Sequence, residues 1–434
     1  MAARAALGPR GTSCLTKVTI ASVHVSLSHP SRLTVVGIGA DGWPGVPERL
    51  HHRVLAAEVV LGGARHLDLL PPPEGQVRES WPSPLREGLP PLLSRYDGRT
   101  VVVLASGDPL VSGIATVLVD LVGAERVDVQ PAVSSVALAR ARMCWAEEST
   151  TLVSLVGRDP HLVLRQLAPG RRVLVLSSDE STPAVVAALL NEHGYGSSRL
   201  TVLGDLGAAA ESRVSATAEE WNAEAPRLNV IALEVVEAPS ATNASWAPGL
   251  PDTSYENDGQ LTKRDVRAAA LARLAPGPGQ LLWDVGAGAG SIAIEWLRAH
   301  PTCRAVAVES DPERAARIGR NAASLGVPTL QVVHGAAPES LADLASPDAV
   351  FIGGGATRSG VIDACQAALR PGGRLVVHGV TLETESLLAR LYDEHGGELT
   401  RISVEQAAPI GSFTGWSPSR AVTQWAIQVR QVSP

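Results

Sequence analysis

One stretch of the sequence combines an acidic residue with alternating glycines and could bind a nucleoside. Asp284 ends a short apolar run, and glycines follow at positions 286, 288 and 290. Glycine allows a sharp turn and leaves room for a ligand to lie against the backbone. The residues after Ser291 place apolar side chains at helical spacing. The pattern therefore predicts a strand, a tight turn that contacts a ligand, and a helix.

The spacing of these glycines favours S-adenosylmethionine over a dinucleotide. Dinucleotide-binding turns carry the pattern G-x-G-x-x-G and seat a pyrophosphate. Here the pattern is G-x-G-x-G, and no Lys or Arg lies between Gly279 and Arg298. S-adenosylmethionine has no phosphate, and acidic residues suit its ammonium group and its ribose hydroxyls. Glu309 ends the next apolar run and could accept both hydroxyls, although an ordinary Rossmann-like turn with a surface acid remains the alternative.

Turns in the first half of the chain could also contact a ligand. Gly37 and the segment Gly107-Asp108-Pro109 each follow an apolar run. The carboxyl ends of parallel strands are where α/β proteins bind ligands. Ser134 or Ser135 could cap a helix or touch the ligand. For Asp108, a plain helix cap is the alternative to a ligand contact.

Composition and length exclude several classes of protein. A chain of 434 residues should form two or three domains. The net charge of −7 argues against nucleic-acid binding. The four cysteines are not at metal-binding or redox spacing, so we predict a cytoplasmic protein without a metal site. No apolar run reaches the length of a membrane span.

Strand-like and helix-like segments alternate along the chain, which is typical of an α/β fold with doubly wound sheets. Residues 239–257 are rich in Pro, Ser, Asn and Gly and are predicted to be a linker. Residues 1–31 contain no acid and are predicted to be a disordered extension, with a transit peptide or a misassigned start as alternatives. The predicted domains are therefore residues 32–238 and 258–434.

The second half resembles the decarboxylating C15-methyltransferases of corrinoid biosynthesis. The matching segments are Leu261–Arg267, Asp284–Gly290, Glu309–Pro312, Gly335–Glu339, Phe351–Gly355 and Leu369–Gly373. The first half resembles the C5-methylating tetrapyrrole methylases. Its matching segments are Val35–Gly39, Gly62–Leu67, Ser106–Pro109 and Pro131–Ser135. The order of the halves is similar to that of the fused precorrin-6Y C5,15-methyltransferases.

This resemblance implies a tetrapyrrole methylase fold of two αβα subdomains, followed by a class I Rossmann-like methyltransferase. It implies that S-adenosyl-L-methionine, one molecule per domain, methylates C5 and C15 of precorrin-6B (6Y). The C12 acetate would lose carbon dioxide to give precorrin-8X in cobalamin biosynthesis. It also implies a homo-oligomer such as a tetramer. The alternatives are a cobalt-containing or other tetrapyrrole substrate, a dinucleotide-dependent oxidoreductase, and a binding protein without activity.

The same resemblance assigns site residues position by position, but no catalytic residue. In the second half the donor site comprises Thr262, which could also cap a helix, Asp284, Gly286, Ala287, Gly288, Ala289, Gly290, Glu309 and Ala337. In the first half it comprises Gly37, Gly107, Asp108, Pro109 and Ser135. Candidates for pairing with substrate carboxylates are Arg158, His161, Lys263 and Arg264. Arg158 and His161 could instead lie in a solvated loop. The loop at Ala337 lacks the Asp that often binds adenine in this fold, so the backbone alone would hold the adenine.

Overall fold

A computed structural model describes residues 33–73, 75–237, 241 and 245–429. Two compact units divide the chain, with the boundary at Leu138. The first unit includes Gly207–Ala209, and the second comprises Ala139–Leu206 and the chain from Ala210 onward. The predicted extension at residues 1–31 lies outside the described residues. Within the described part, no helix is both long and apolar enough to cross a membrane.

The first unit is built on a five-stranded parallel sheet of order β3-β2-β4-β1-β5. The central strands β1 and β4 are continuous apolar runs because helices cover both faces of the sheet. The strands are β1 (Leu33–Ile38), β2 (Val59–Gly62), β3 (Val77–Ser80), β4 (Val101–Ser106) and β5 (Val127–Gln130); the helices are α1 (Glu48–Leu55), α2 (Ala64–Asp68), α3 (Leu85–Arg95), α4 (Ile114–Val122) and α5 (Ser135–Met143), which runs across the boundary.

The second unit begins with a mixed sheet of order β6-β7-β10-β8-β9. Only β6 and β7 pair in parallel, whereas β10 is antiparallel to both of its neighbours. The alternation of apolar and helical segments did not indicate this antiparallel pairing. The elements are β6 (Thr150–Ser154), a 3-10 helix (Pro160–Gln166), β7 (Arg172–Leu176), α6 (Thr182–Glu192), β8 (Arg199–Gly204), β9 (Ser212–Thr217) and β10 (Asn229–Glu234).

The same unit contains a seven-stranded sheet of order β13-β12-β11-β14-β15-β19-β16. Its first five strands are parallel, and β19 is antiparallel to both of its neighbours. The strands are β11 (Leu281–Val285), β12 (Arg304–Glu309), β13 (Gln331–His334), β14 (Ala349–Ile352), β15 (Arg374–Gly379), β16 (Glu398–Ile402) and β19 (Val422–Gln428). The helices are α7 (Arg264–Leu274), α8 (Ser291–Ala299), α9 (Pro312–Ser324), α10 (Val361–Ala368) and α11 (Leu382–His395).

Alternate residues of these strands enter separate cores on the two faces of the sheet. Leu282 packs with α7, α8 and α9, while its neighbour Trp283 packs with α10 and α11. This alternation follows from the period of two in an extended strand. The carboxyl ends of the five parallel strands therefore meet at one edge, between the two helical layers.

A two-stranded hairpin lies between β16 and β19. It consists of β17 (Glu405–Ile410) and β18 (Phe413–Pro418), which pair only with each other among the described strands. Three large apolar side chains are exposed there, at Ile410, Phe413 and Trp416. An isolated hairpin is marginally stable in water. No element was predicted for this segment from the sequence.

Part of the segment predicted as a linker belongs to the packed C-terminal core. The backbone amides of Gly249 and Leu250 donate to the Glu295 carboxylate at 2.6 and 3.0 Å. The hydroxyl of Tyr255 donates to the same carboxylate at 2.9 Å. The side chains of Leu250 and Tyr255 are buried. The stretch that could act as a linker is therefore shorter than residues 239–257.

The mixed sheet contacts the C-terminal α/β layers directly. The guanidinium of Arg165, in the 3-10 helix, donates to the backbone oxygen of Arg298 at 3.0 Å. The indole of Trp246 donates to the backbone oxygen of Arg165 at 3.2 Å. A Cβ on Gly326 would lie 2.2 Å from the Arg165 nitrogen. Any side chain at position 326 would therefore push these surfaces apart.

Candidate active site

A cavity of about 810 Å³ opens at the carboxyl edge of the seven-stranded sheet. One side is formed by the turn after β11 and by Glu309 at the end of β12. The other side is formed by Phe351 of β14, the glycines that follow it, and His378 of β15. Sites for small molecules commonly enclose about 300–1,000 Å³, so this cavity has room for more than a nucleoside.

The three glycines of the turn are required by close contacts with different neighbours. All three have positive φ angles, of 67°, 59° and 76°, which glycine adopts without strain. A Cβ on Gly286 would lie 2.8 Å from Gly354 O, and one on Gly288 would lie 2.7 Å from Gln260 O. Gly290 instead packs against Ile318 of α9. Gly286, Ala287 and Gly288 line the cavity, whereas Ala289 lies in the core and Gly290 precedes α8.

Glu309 is held rigidly at the cavity wall by backbone amides. Its Oε2 accepts from the amide of Gly288 at 2.8 Å, and its Oε1 accepts from the amide of Asp311 at 3.0 Å. Each carboxylate oxygen can accept more than one hydrogen bond. The carboxylate is therefore already oriented and retains capacity for hydroxyl donors from a ligand.

Asp284 does not line the cavity, contrary to the expectation of a direct ligand contact. Its side chain is buried, and its Oδ2 accepts from the Ala293 amide in the first turn of α8 at 3.0 Å. Its Oδ1 is buried without a hydrogen-bond partner among the described residues. Burial raises the pKa of Asp284 to about 7, and the nearby charge of Glu309 adds to the increase. Asp284 therefore stabilises the glycine turn through its hydrogen bond to the first turn of α8.

A buried ion pair fixes the cavity wall that runs from Gly259 to Arg264. Arg267 is fully buried, and its Nε donates to Glu295 at 2.6 Å. Its Nη1 donates to the backbone oxygen of Thr262 at 2.6 Å, and its Nη2 donates to that of Leu250. One guanidinium therefore links the wall, the preceding segment and α8.

The wall brings three of the predicted residues to the cavity. Thr262, Lys263 and Arg264 all line it. Lys263 lies 3.7 Å from Asp252, and Arg264 has no carboxylate partner within the described chain. Lys263, not Thr262, precedes the first residue of α7, and no side chain caps that helix. The expectation that Thr262 could act as a cap is therefore wrong.

The loop after β13 also lines the cavity. Gly335, Ala336 and Ala337 contribute to it, and the amide of Gly335 donates to the backbone oxygen of Glu309 at 2.9 Å. None of these three residues carries a charge. A nucleobase at this position would meet backbone groups and methyl groups.

The candidate turns of the first unit meet at the carboxyl edge of its sheet. A Cβ on Gly37 would lie only 1.9 Å from Gly107 O. That oxygen accepts from the Ala132 amide at 3.1 Å, and the Gly107 amide donates to Ile38 O at 2.8 Å. Glycine is needed at position 37 because the backbone of Gly107 lies so close. The expectation that Gly37 leaves room for a ligand is corrected accordingly.

Two alternatives left open by the sequence are resolved at this edge. The Asp108 carboxylate accepts from the Leu110 amide at 2.9 Å, but α4 begins only at Ile114 with Gly113 before it. Asp108 is therefore not the cap of α4. The Ser134 hydroxyl accepts from the Ala137 amide at 3.1 Å, so Ser134 caps α5. Ser135 and Pro109 remain candidates for contact with a ligand.

Arg158 and His161 do not line the C-terminal cavity. Both follow β6 in the mixed sheet. The side chain of Arg158 is exposed, and Nδ1 of His161 lies 2.7 Å from Asp159. The structure thus separates these two residues from Lys263 and Arg264.

Both halves of the chain match known protein families. Residues 32–222 match the tetrapyrrole (corrin/porphyrin) methylases, and residues 253–429 match the precorrin methyltransferase domain. A decarboxylating precorrin-6Y C(5,15)-methyltransferase from a Sinorhizobium species is 46% identical over 395 residues, covering 91% of this chain and 95% of the relative. Its counterpart from Mycobacterium tuberculosis is 44% identical over 405 residues, covering 92% and 100%.

The chain belongs to the precorrin-6Y C(5,15)-methyltransferase family. The crystal structure of the C-terminal domain of the Rhodobacter capsulatus family member is 45% identical in sequence. The alignment of the two structures covers 42% of this chain and 99% of that domain, with a TM-score of 0.41.

Several cavity residues of this family member were not predicted from the sequence. Arg358, His378 and Arg420 all line the cavity. Arg358 lies three residues after the segment Phe351–Gly355, which carries part of the resemblance but does not include Arg358. Arg420 lies between the hairpin and β19, where no element had been predicted. In the part of the chain that the structure describes, no group of three or more His, Cys, Asp and Glu could hold a metal ion.

Proposed function

We propose that this chain transfers methyl groups from S-adenosyl-L-methionine to C5 and C15 of precorrin-6B (6Y). The C12 acetate loses carbon dioxide, and the product is precorrin-8X. The observation that carries the proposal is identity of 46% over 95% of a relative named for both methylations and the decarboxylation. Both family matches are needed for this reaction, because one half alone would account for one methylation.

The C-terminal cavity is proposed as the site of C15 methylation. The ribose hydroxyls of the donor would be accepted by Glu309, and its amino-acid end would lie along Gly286–Gly288 and Thr262. The adenine would lie against Ala337. The rigid carboxylate beside a turn without cations supports a donor that carries no phosphate.

Alignment is proposed to supply most of the catalysis. The carbons that bridge the pyrroles of a reduced tetrapyrrole are enamine-like nucleophiles, and they can attack a sulfonium methyl without a strong base. Orientation of two reactants can contribute about 7–11 kcal/mol. Methylation at C15 leaves a conjugated iminium, which can accept the electron pair released when the acetate loses carbon dioxide.

Mass spectrometry of precorrin-6B incubated with the protein and donor tests this function. We expect the product to gain two methyl groups and to lose one carbon dioxide. A methyl-labelled donor should deliver its label to both positions. A product without added methyl groups, or hydride transfer from a nicotinamide cofactor, would reject the proposal.

The substitution Glu309→Gln should weaken donor binding at the C-terminal site. Loss of the charged acceptor removes about 1.5–3 kcal/mol, which corresponds to about a 10- to 150-fold increase in Kd. Isothermal titration calorimetry measures this change. The matched control is Glu313→Gln, an exposed carboxylate in α9 that does not line the cavity. Unchanged donor affinity in the Glu309 variant would remove this residue from the site.

The second donor molecule is proposed to bind in the first half, at the edge formed by Gly107, Asp108, Pro109 and Ser135. The convergence of these backbone segments at the carboxyl ends of β1 and β4 supports this site. Equilibrium dialysis should then find two donor molecules per chain. One molecule per chain would limit the proposal to a single donor site.

A homo-oligomer is proposed as the working form, and the exposed hairpin side chains support it. The substitution Phe413→Glu places a charge at an 80% exposed apolar position. We expect it to reduce the molar mass measured by light scattering after gel filtration. Leu55→Glu, at an exposed apolar position of α1, is the control and should leave the mass unchanged. Equal masses for all three proteins would exclude the hairpin as the contact.

A further inference from the structure

The lining of the C-terminal cavity contains the acidic residues Asp252, Asp265 and Glu309, five cationic residues and a set of uncharged ones. The cationic residues are Lys263, Arg264, Arg314, Arg358 and Arg420. In contrast, Phe351, Gly353, His378, Val380 and Val422 form a continuous surface, which we call the neutral wall. These five residues lie at the ends of β14, β15 and β19, which are adjacent in the sheet.

The strand register shows that the neutral wall is continuous. Gly379 of β15 pairs with Thr423 of β19, so Val380 and Val422 are the next residues on facing strands. The rings of Phe351 and His378 meet edge to face, with centroids 4.8 Å apart at 86°. A single group of the substrate could therefore contact this surface without meeting a formal charge.

His378 contributes to the neutral wall as an uncharged imidazole. It is 8% exposed, and its Nε2 lies 2.9 Å from Oε1 of Gln424. Burial lowers the pKa of His378 to about 4. Because protonation requires a pH far below neutral, the ring carries no charge under ordinary assay conditions.

We infer that the acetate that loses carbon dioxide lies against the neutral wall, while the cationic residues hold other carboxylates of the substrate. This inference rests on the proposed function. Arg264 and Arg420 are suited to hold these other carboxylates. Both line the cavity, and neither has an ion-pair partner within the described chain. The position of the neutral wall therefore determines which carboxyl group of the substrate is lost as carbon dioxide.

The chemistry of decarboxylation requires such a separation. The bond between the carboxyl carbon and its methylene breaks, and its electron pair neutralises the iminium formed by C15 methylation. Carbon dioxide leaves and an exocyclic enamine methylene remains; a proton from water adds to this methylene to give the methyl group, and a ring N–H or C–H loses a proton to water so that the ring returns to neutral. The carboxylate loses its negative charge during this step, so a cation paired with it stabilises the ground state more than the transition state. An uncharged contact avoids this penalty.

The substitution Val380→Lys tests the inference by placing an ammonium at the neutral wall. Val380 is 45% exposed, so the longer side chain can be accommodated. We expect methyl transfer to C15 to continue while release of carbon dioxide slows about 10- to 150-fold, the effect of one charged hydrogen bond. Mass spectrometry over time should detect a C15-methylated intermediate that retains the carboxyl group.

Two further variants make the outcome decisive. Val422→Lys brings the same charge from the facing strand and replaces the first variant if that one does not fold. Leu382→Lys, 78% exposed and outside the cavity lining, is the matched control and should release one carbon dioxide per methyl transferred to C15 at the normal rate. If the Val380 and Val422 variants both release one carbon dioxide per methyl transferred to C15 at the normal rate, the inference is overturned. Absence of C15 methylation in the unmodified protein would instead reject the proposed function.

Discussion

Replacing Arg267 with methionine should lower the free energy of unfolding of the C-terminal half by about 3–5 kcal/mol. The loss arises because removal of one partner leaves the other as an unpaired buried charge. Here that partner is Glu295, whose side chain is 3% exposed. The backbone oxygens of Thr262 and Leu250 would lose their donor as well. The cavity wall should loosen, so the affinity for the methyl donor should also fall.

Urea unfolding followed by tryptophan fluorescence measures this loss, because Trp283, Trp296 and Trp425 are all buried in the C-terminal half. The control is Arg273→Met, which removes a surface ion pair with Glu398 and should cost less than about 1 kcal/mol. Adding Glu295→Gln to the Arg267 variant should recover part of the stability, because it removes the unpaired charge but keeps an acceptor for the Gly249, Leu250 and Tyr255 donors. Equal midpoints for the unmodified protein and the Arg267 variant would contradict the account.

The substitution Asp284→Asn should remove a pH dependence of stability worth about 4 kcal/mol. The carboxyl group loses its proton near 3.8 when exposed, but burial raises its pKa to about 7 in the folded protein. Between these values the folded state binds one more proton than the unfolded state. Stability therefore falls as the pH rises, by up to about 1.4 kcal/mol per unit. Above about pH 7 the penalty is complete and constant.

Asparagine can still accept the hydrogen bond from Ala293 but cannot acquire a charge. The variant should therefore be more stable than the unmodified protein at pH 8 and similar to it at pH 4. Comparing the two proteins cancels the effect of His66 and His378, whose lowered pKa values act in the opposite direction. Urea unfolding across this pH range provides the measurement. A stability difference that does not change with pH would show that Asp284 does not titrate as described.

Local patterns predicted the side of the cavity that we propose for the methyl donor, because its residues are neighbours in the chain. A strand, a glycine turn and an acid at the next strand end placed Gly286, Gly288 and Glu309 at the cavity. The same pattern also included Asp284 and Gly290, which support the helix and its packing instead. Sequence spacing does not distinguish a glycine that faces a ligand from one that faces another backbone. Gly37 illustrates the same difficulty in the first unit.

The opposite side of the cavity could not be predicted because it depends on contacts between distant segments. The uncharged state of His378 follows from its burial beside β19, a strand that is far away in sequence. The burial of Leu250 and Tyr255 depends on Glu295, whereas their surroundings in sequence resemble a linker. The hairpin that precedes Arg420 has an exposed apolar surface and gives no periodic signal of a core.

The contact between Arg165 and Gly326 limits how the gene can be divided for protein production. A fragment beginning at residue 258 would lack Leu250 and Tyr255 and would leave the Glu295 carboxylate without three of its donors. A fragment beginning at Ser245 would keep them, but the indole of Trp246 would lose its acceptor and the surface around Gly326 would face water. Expression yield and solubility of the separated C-terminal half should therefore depend on where the cut is made.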